Sequence, residues 1–203
     1  MLRLFIAGFA FSPFRARVDE MPWAITQALP DLLATMLAGG LGSTYAINEG
    51  VAIHRDAIVE TGAVVKGPAI VASGCYVAAG AYLRGGVWLD EGCTIGPGSE
   101  VKSSLLFAGS RLAHLNFVGD SILGADVNCE AGAVIANFRN ERKDRRIRIL
   151  QDGEVIDTGV ERFGAVLGDG ARIGANAVIA PGALLAPSQV VPRLGLVDQS
   201  PEA

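Results

Sequence analysis

A large apolar residue returns at every sixth position through most of this chain, and that period restricts the fold more than any other feature. From Ile53 the series runs Val59, Val65, Val71, Val77, Leu83, Leu89, Ile95, Val101 and Phe107. Two residues ahead of these lies a second, mostly small series that includes Ala57, Ala63, Ala69, Cys75, Ala81, Cys93 and Ser99. Glycine recurs just before the small positions, as in ETGA, AAGA and DEGC. A period of six fits neither an amphipathic helix nor a simple alternating strand. It suits short flat strands joined by tight turns, each sending one large side chain inward. Three such strands close a triangular coil of about 18 residues, and coils stack into a solenoid. The expected class is all-β, a parallel β-helix of hexapeptide repeats. The phase slips near residues 108–114, resumes at Phe117, Leu123, Cys129 and Ile135, and resumes again at Leu167, Ile173, Ile179, Leu185 and Val191.

The solenoid is expected over residues 47–193, with an excursion at 139–163 (RNERKDRRIRILQDGEVIDTGVERF) and a tail at 194–203. Residues 1–46 precede it as an extension. Within them EMPWAITQALPDLLATMLA carries Pro22 and Pro30, each able to open a helical segment, and an apolar set of Trp23, Ile25, Leu29 and Leu33. Gly39 and Gly40 stop it. Because the end of a solenoid is exposed and needs covering, this segment is read as a short N-terminal helical cap.

A formal net charge of −4 leaves no basic stripe for nucleic acid. Three cysteines make no disulfide framework and point to the reducing cytoplasm. The opening MLRLFIAGFAF is short and runs into FSPFRARVDE without a cleavage site, unlike a secretory leader. No apolar run approaches the roughly 20 residues of a membrane span.

Stacking assigns neighbours to polar residues as well. Residues one coil apart lie about 4.8 Å from each other across adjacent strands. Arg84 and Lys102 are such a pair, and two stacked cations invite an anion such as phosphate, although each can equally point into solvent. Cys75 and Cys93 stack at small inward sites and read as buried thiols. Of the two histidines, His54 reads as a surface residue. His114 stands at the phase slip, where a departure from the scaffold's rule suggests function, and a neutral imidazole can accept a proton near pH 7. Two separated histidines and no CxxC pair give no metal site.

The stretch AHLNFVGDSILGADVNCEAGAVIANF resembles the acetyltransferase domain of the bacterial bifunctional glucosamine-1-phosphate N-acetyltransferase/UDP-N-acetylglucosamine pyrophosphorylase family, which carries an HLxYxGD…NxGAG…NY run. The resemblance extends over about residues 50–192. The pyrophosphorylase half has no counterpart, so the chain looks like a transferase portion standing alone. The resemblance implies a left-handed coil and a homotrimer with sites at subunit interfaces. It also implies acetyl-CoA or another acyl-CoA as co-substrate, and a small amino-sugar phosphate or nucleotide sugar as acceptor. By motif, His114 matches the catalytic base, Arg84 and Lys102 the residues that grip the sugar phosphate, Asn128 a sugar-binding asparagine, and Asn137 one beside the acetyl-transfer centre. Two positions depart from the pattern: a phosphate-contacting tyrosine is Phe117, and a serine of the thioester site is Ala175. The sequence runs on only a little past Val191, leaving fewer late coils to flank a coenzyme than the family's pattern implies. The alternatives are a non-catalytic sugar-phosphate or nucleotide-sugar binding subunit, and an O-acyltransferase on the same scaffold.

Overall fold

A computed structural model describes residues 1–151 and 153–201 of the 203-residue chain. The body is a parallel β-helix with three faces. The first face is a seven-stranded parallel sheet from Ile58–Val59 through Thr94–Ile95, Arg111–Leu112 and Asn128–Cys129 to Val190–Val191. The second and third faces share one 13-stranded sheet, because Tyr82–Leu89 and Glu100–Leu106 each run on around a corner. The second face carries 82–84, 100–102, Phe117–Gly119, Val134–Ile135, Val178–Ile179 and Leu196–Val197; the third carries Val51–His54, Ala69–Val71, 87–89, 104–106, Ile122–Leu123, Ala165–Leu167 and Ala183–Leu185. Inward residues of the middle coils, including Leu83, Leu89, Ile95, Leu123, Ile135, Leu167 and Leu185, have no exposed surface. Each such aliphatic side chain contributes about 1.5–3 kcal/mol by leaving water.

The coils are not uniform. Tyr76 pairs with Thr94 eighteen residues on, but Thr94 pairs with Arg111 and Arg111 with Asn128, seventeen residues on each time. The missing residue lies at the corner between the second and third faces. Arg84 pairs with Lys102 and Val87 with Ser104, so the two glycines Gly85 and Gly86 face Ser103 alone. Ser103 rounds this shortened corner at φ +47°. The slip therefore falls earlier than the sequence suggests. Leu106 rather than Phe107 points inward, and Val118 rather than Phe117. Counting in sixes passes over the change because Leu106 and Phe107 are both apolar. Phe107 lies outside the coil against Phe9 and Trp88.

The helix α1, Pro22–Gly39, is continuous through Pro30 and packs along a side of the solenoid instead of closing an end. Trp23, Ile25, Leu29 and Leu33 join Ile70, Trp88, Leu105 and Ile122 from the outer surface of the third face in a second core. A Cβ at Gly86 would meet the Pro30 backbone nitrogen at 3.0 Å, so this corner glycine lets the helix approach. Leu2, Ile6, Phe9 and Phe14 bury into the same core from short 3-10 turns. The Asp169 carboxylate fixes that segment by accepting from the Ala7 and Ala125 backbone N–H groups.

The excursion leaves after Asn137 and returns through Phe163, whose N–H donates to the Asn137 carbonyl. It forms an antiparallel hairpin, Arg148–Gln151 with Glu154–Asp157, and buries Ile147, Ile149 and Phe163 in the second core, with Phe163 edge-on to Trp23 at 5.8 Å. The solenoid also continues past the expected boundary at 193: Leu196–Val197 pairs with Val178–Ile179. Asp198, just beyond, holds Arg139 of the excursion through two bonds of 2.7 Å.

Candidate functional site

The outer surface of the second face carries two adjacent columns, because alternate residues of a strand point the same way. One contains Tyr82, Glu100 and Phe117; the other contains Arg84, Lys102 and Gly119. Arg84 and Lys102 are stacked as the coil length predicts. Their charges, however, are already met within the chain. Arg84 contacts Glu100 Oε1 from Nε at 2.7 Å and Nη2 at 2.6 Å. The Lys102 ammonium donates to both oxygens of Asp120 at 2.8 Å. The repulsion inferred from the sequence is thus offset by two carboxylates that the sequence reading did not single out. In this shortened coil Lys102 stacks on Gly119, seventeen residues on, and Asp120 follows directly, near enough for its side chain to reach the ammonium.

Asp120 is a hub. Its side chain is only 10% exposed, its second oxygen accepts a short hydrogen bond from the Asn137 side-chain amide, and its carbonyl accepts from Gly164 where the excursion rejoins the coil. Gly119 is required beside it: a Cβ there would lie 2.6 Å from the Asn137 amide nitrogen and 2.9 Å from the Phe117 ring. Phe117 and Asn137 therefore meet over Gly119. The structure brings Arg84, Lys102, Phe117 and Asn137 together with Glu100 and Asp120.

His114 stands at the opposite edge of the same face, on the corner shared with the first face. It is exposed, its carbonyl accepts from Gly132, and among the described residues its imidazole makes no hydrogen bond or ion pair. The chain turns at Leu115, φ +54°, so residues 114–119 span less than the roughly 16 Å of a straight strand. Ala175 occupies the same corner two coils on, with Ala131 between them. Its N–H donates to Glu130 at 2.9 Å, and Arg193 forks onto both oxygens of Glu130 at 2.8 Å. These bonds, the Arg193 guanidinium first, hold the Glu130 carboxyl below its ordinary range. Asn128 is separate. It lies on the first face in register between Arg111 and Arg172 and does not meet the second-face group within one chain.

The remaining candidates are structural. Cys75 and Cys93 are buried, the Cys75 thiol donating to the Asp90 carbonyl at 3.0 Å. Burial pushes the Cys129 thiol up to about 12. His54 is not a free surface residue: its side chain is 13% exposed, edge-on to Tyr45, and accepts from the Asp56 N–H. No group of His, Cys, Asp and Glu among the described residues is placed to hold a metal ion, and no described helix is long and apolar enough to cross a membrane.

No protein-family model matches the chain. Parts of it are similar to curated proteins. A bifunctional sugar-1-phosphate nucleotidylyltransferase/acetyltransferase of Sulfurisphaera tokodaii is 40% identical over 82 residues, which is 40% of this chain and 20% of that protein. The bifunctional protein GlmU of Methanococcus vannielii is 30% identical over 108 residues, 53% of this chain and 25% of that protein. The GlmU of Synechococcus sp. strain CC9311 is 36% identical over 84 residues, 41% and 14% respectively. The chain thus spans a quarter or less of the length of these relatives. Among solved structures, a hexapeptide transferase family protein of Anaplasma phagocytophilum aligns over 72% of both chains at 17% identity and TM-score 0.43. That likeness is too distant to bear on function, and the β-helix rests on its own strand register.

Proposed function

We propose that this chain is an acyl-CoA-dependent acyltransferase that N-acetylates an amino-sugar phosphate or nucleotide sugar. The observation that carries the reading is the second face. Its one edge gathers Arg84, Lys102, Phe117 and Asn137, and its other edge presents an exposed, unpartnered imidazole. Local similarity to proteins named as acetyltransferases supports the same chemistry.

In this reading the acceptor's phosphate lies at Arg84 and Lys102, whose carboxylate partners Glu100 and Asp120 keep them oriented until the anion arrives. The sugar extends across Phe117 toward His114. The imidazole takes a proton from the acceptor amine as nitrogen attacks the thioester carbonyl. The C–N bond forms, the C–S bond breaks, and the coenzyme leaves as its thiol. Acyl-CoA supplies the activated acyl group, and backbone N–H groups of the completed site would steady the developing oxyanion.

Asn128 lies on the first face, away from the second-face group, so the complete site takes a second copy of the chain, and a homotrimer supplies one at each interface. The exposed apolar residues Val64, Val178 and Leu196 on the outer second face suit such a contact. The test is a thiol-release assay with acetyl-CoA against a panel of amino-sugar phosphates and nucleotide sugars. His114→Ala should slow turnover by about 10² or more. Unchanged turnover removes His114 from the mechanism, and a monomer in analytical ultracentrifugation removes the shared site.

The second reading, a non-catalytic sugar-phosphate binding subunit, is favoured by the missing hydroxyls at Phe117 and Ala175. Calorimetry that detects sugar phosphate but no acetyl-CoA would select it. Transfer to hydroxyl but not amine acceptors in the same panel would select O-acylation.

A further inference from the structure

The arginines of the excursion are matched to acids with two exceptions. Arg139 is held by Asp198, Arg142 by Glu141, and Arg146 and Arg148 by Asp144 and Asp157. Arg145 and Arg162 have no carboxylate partner among the described residues. Glu161, beside Arg162 in sequence, makes no ion pair with it. Instead both guanidiniums lie over one ring: Arg162 Cζ is 4.6 Å and Arg145 Cζ 5.2 Å from the centroid of Phe138. Phe138 follows Asn137 directly, so this arrangement adjoins the Asn137–Asp120–Lys102 chain of contacts.

Two cations gathered on a half-buried ring repel each other, and the repulsion is relieved by an anion that accepts from both. A stacked guanidinium keeps its N–H edge free, and its planar fork matches phosphate oxygens two at a time. Arg84 and Lys102 already face carboxylates, whereas Arg145 and Arg162 form a pair without one among the described residues, adjoining the site. We propose that Arg145 and Arg162, held on Phe138, form a clamp for the diphosphate of a nucleotide-bearing substrate. The inference rests on the transferase reading only in supposing that such a substrate comes to this corner. A nucleoside diphosphate is common to acyl-CoA and to a nucleotide sugar, and the two sources are separable.

The test is calorimetric titration of the full chain with ADP, UDP, inorganic pyrophosphate and inorganic phosphate, for the wild type and the double variant R145A/R162A. Both side chains are exposed and outside the Arg139 anchor, and circular dichroism checks that the variant keeps its fold. Affinity for at least one diphosphate probe should fall about tenfold or more, the loss expected for charge-assisted bonds, with inorganic phosphate little changed. A fall confined to ADP assigns the clamp to the coenzyme, and a fall confined to UDP assigns it to the acceptor. Replacement by lysine at both positions keeps the charge but loses the fork, and should restore affinity only in part. Equal diphosphate affinity in wild type and variant, or no diphosphate binding by the wild type, overturns the proposal. The titrations read binding without turnover, so a failed thiol-release assay leaves this result standing.

Discussion

Removing the Asp198 carboxylate should be among the most damaging single changes away from the aliphatic core. Arg139 has 4% of its side chain exposed and donates to both Asp198 oxygens at 2.7 Å, with a third bond at 2.8 Å to the Pro181 carbonyl. Truncating Asp198 leaves a buried guanidinium with one carbonyl, since Glu141 reaches it only at 3.5 Å. Breaking a buried pair from one side costs about 3–5 kcal/mol. Asp198 retains 23% exposure, so water can reach the vacated place and the low end, about 3 kcal/mol, applies to Asp198→Ala. At about 2–4 °C per kcal/mol for a domain of this size, the midpoint should fall by roughly 6–12 °C. Replacing both partners, Arg139→Met with Asp198→Leu, should recover most of the loss, because no buried charge is then orphaned. The Arg139 guanidinium holds the Asp198 carboxyl below its usual range. Its stabilising contribution is therefore complete above the unfolded carboxyl value and lost as pH falls through the folded one. The wild-type advantage over Asp198→Ala should be full at pH 7 and shrink below about pH 4. Thermal and urea unfolding of wild type, Asp198→Ala and the double variant at pH 7 and below about pH 4 measures this. A cost below about 1 kcal/mol at pH 7, or a double variant no more stable than Asp198→Ala, would refute the reasoning.

Two further changes test the packing. Gly119→Ala should displace Asn137 and Phe117, costing about 1–3 kcal/mol and weakening sugar-phosphate binding; wild-type behaviour on both counts would show that the close approach is not limiting. The Cys129 thiol, fully buried with its pKa pushed up to about 12, should resist a water-soluble disulfide reagent at pH 8 in the native protein and react once unfolded, and fast native labelling at Cys129 would contradict its burial.

The β-helix was legible because nearly every sixth residue is a large apolar one pointing inward and the strands are too short to follow any other period. Stacking distances followed from the same count, which is why Arg84 and Lys102 were placed correctly. The shortened corner at Ser103 was not legible, since losing one residue there only exchanges Phe107 for Leu106, one apolar residue for another. The position of α1 was hidden for a related reason. An apolar helix face says that something will be covered, but not whether it is an end or a side. The outer residues Ile70, Trp88, Leu105 and Ile122 carried the answer, as large apolar side chains at positions where a bare solenoid would face water. Glu100 and Asp120 were missed because carboxylates on a regular surface look solvated until the register sets them against a cation.

The third face is clad by three distant parts of the same polypeptide: the opening turns, α1 and the hairpin. A triangular prism with one side upholstered in this way has two bare sides left, and they meet along the ridge that bears His114. A neighbour that settled on either bare side would border that ridge. Head-to-tail contacts between such sides form closed rings when the rotation between copies permits, with the imidazole ridge nearest the seam.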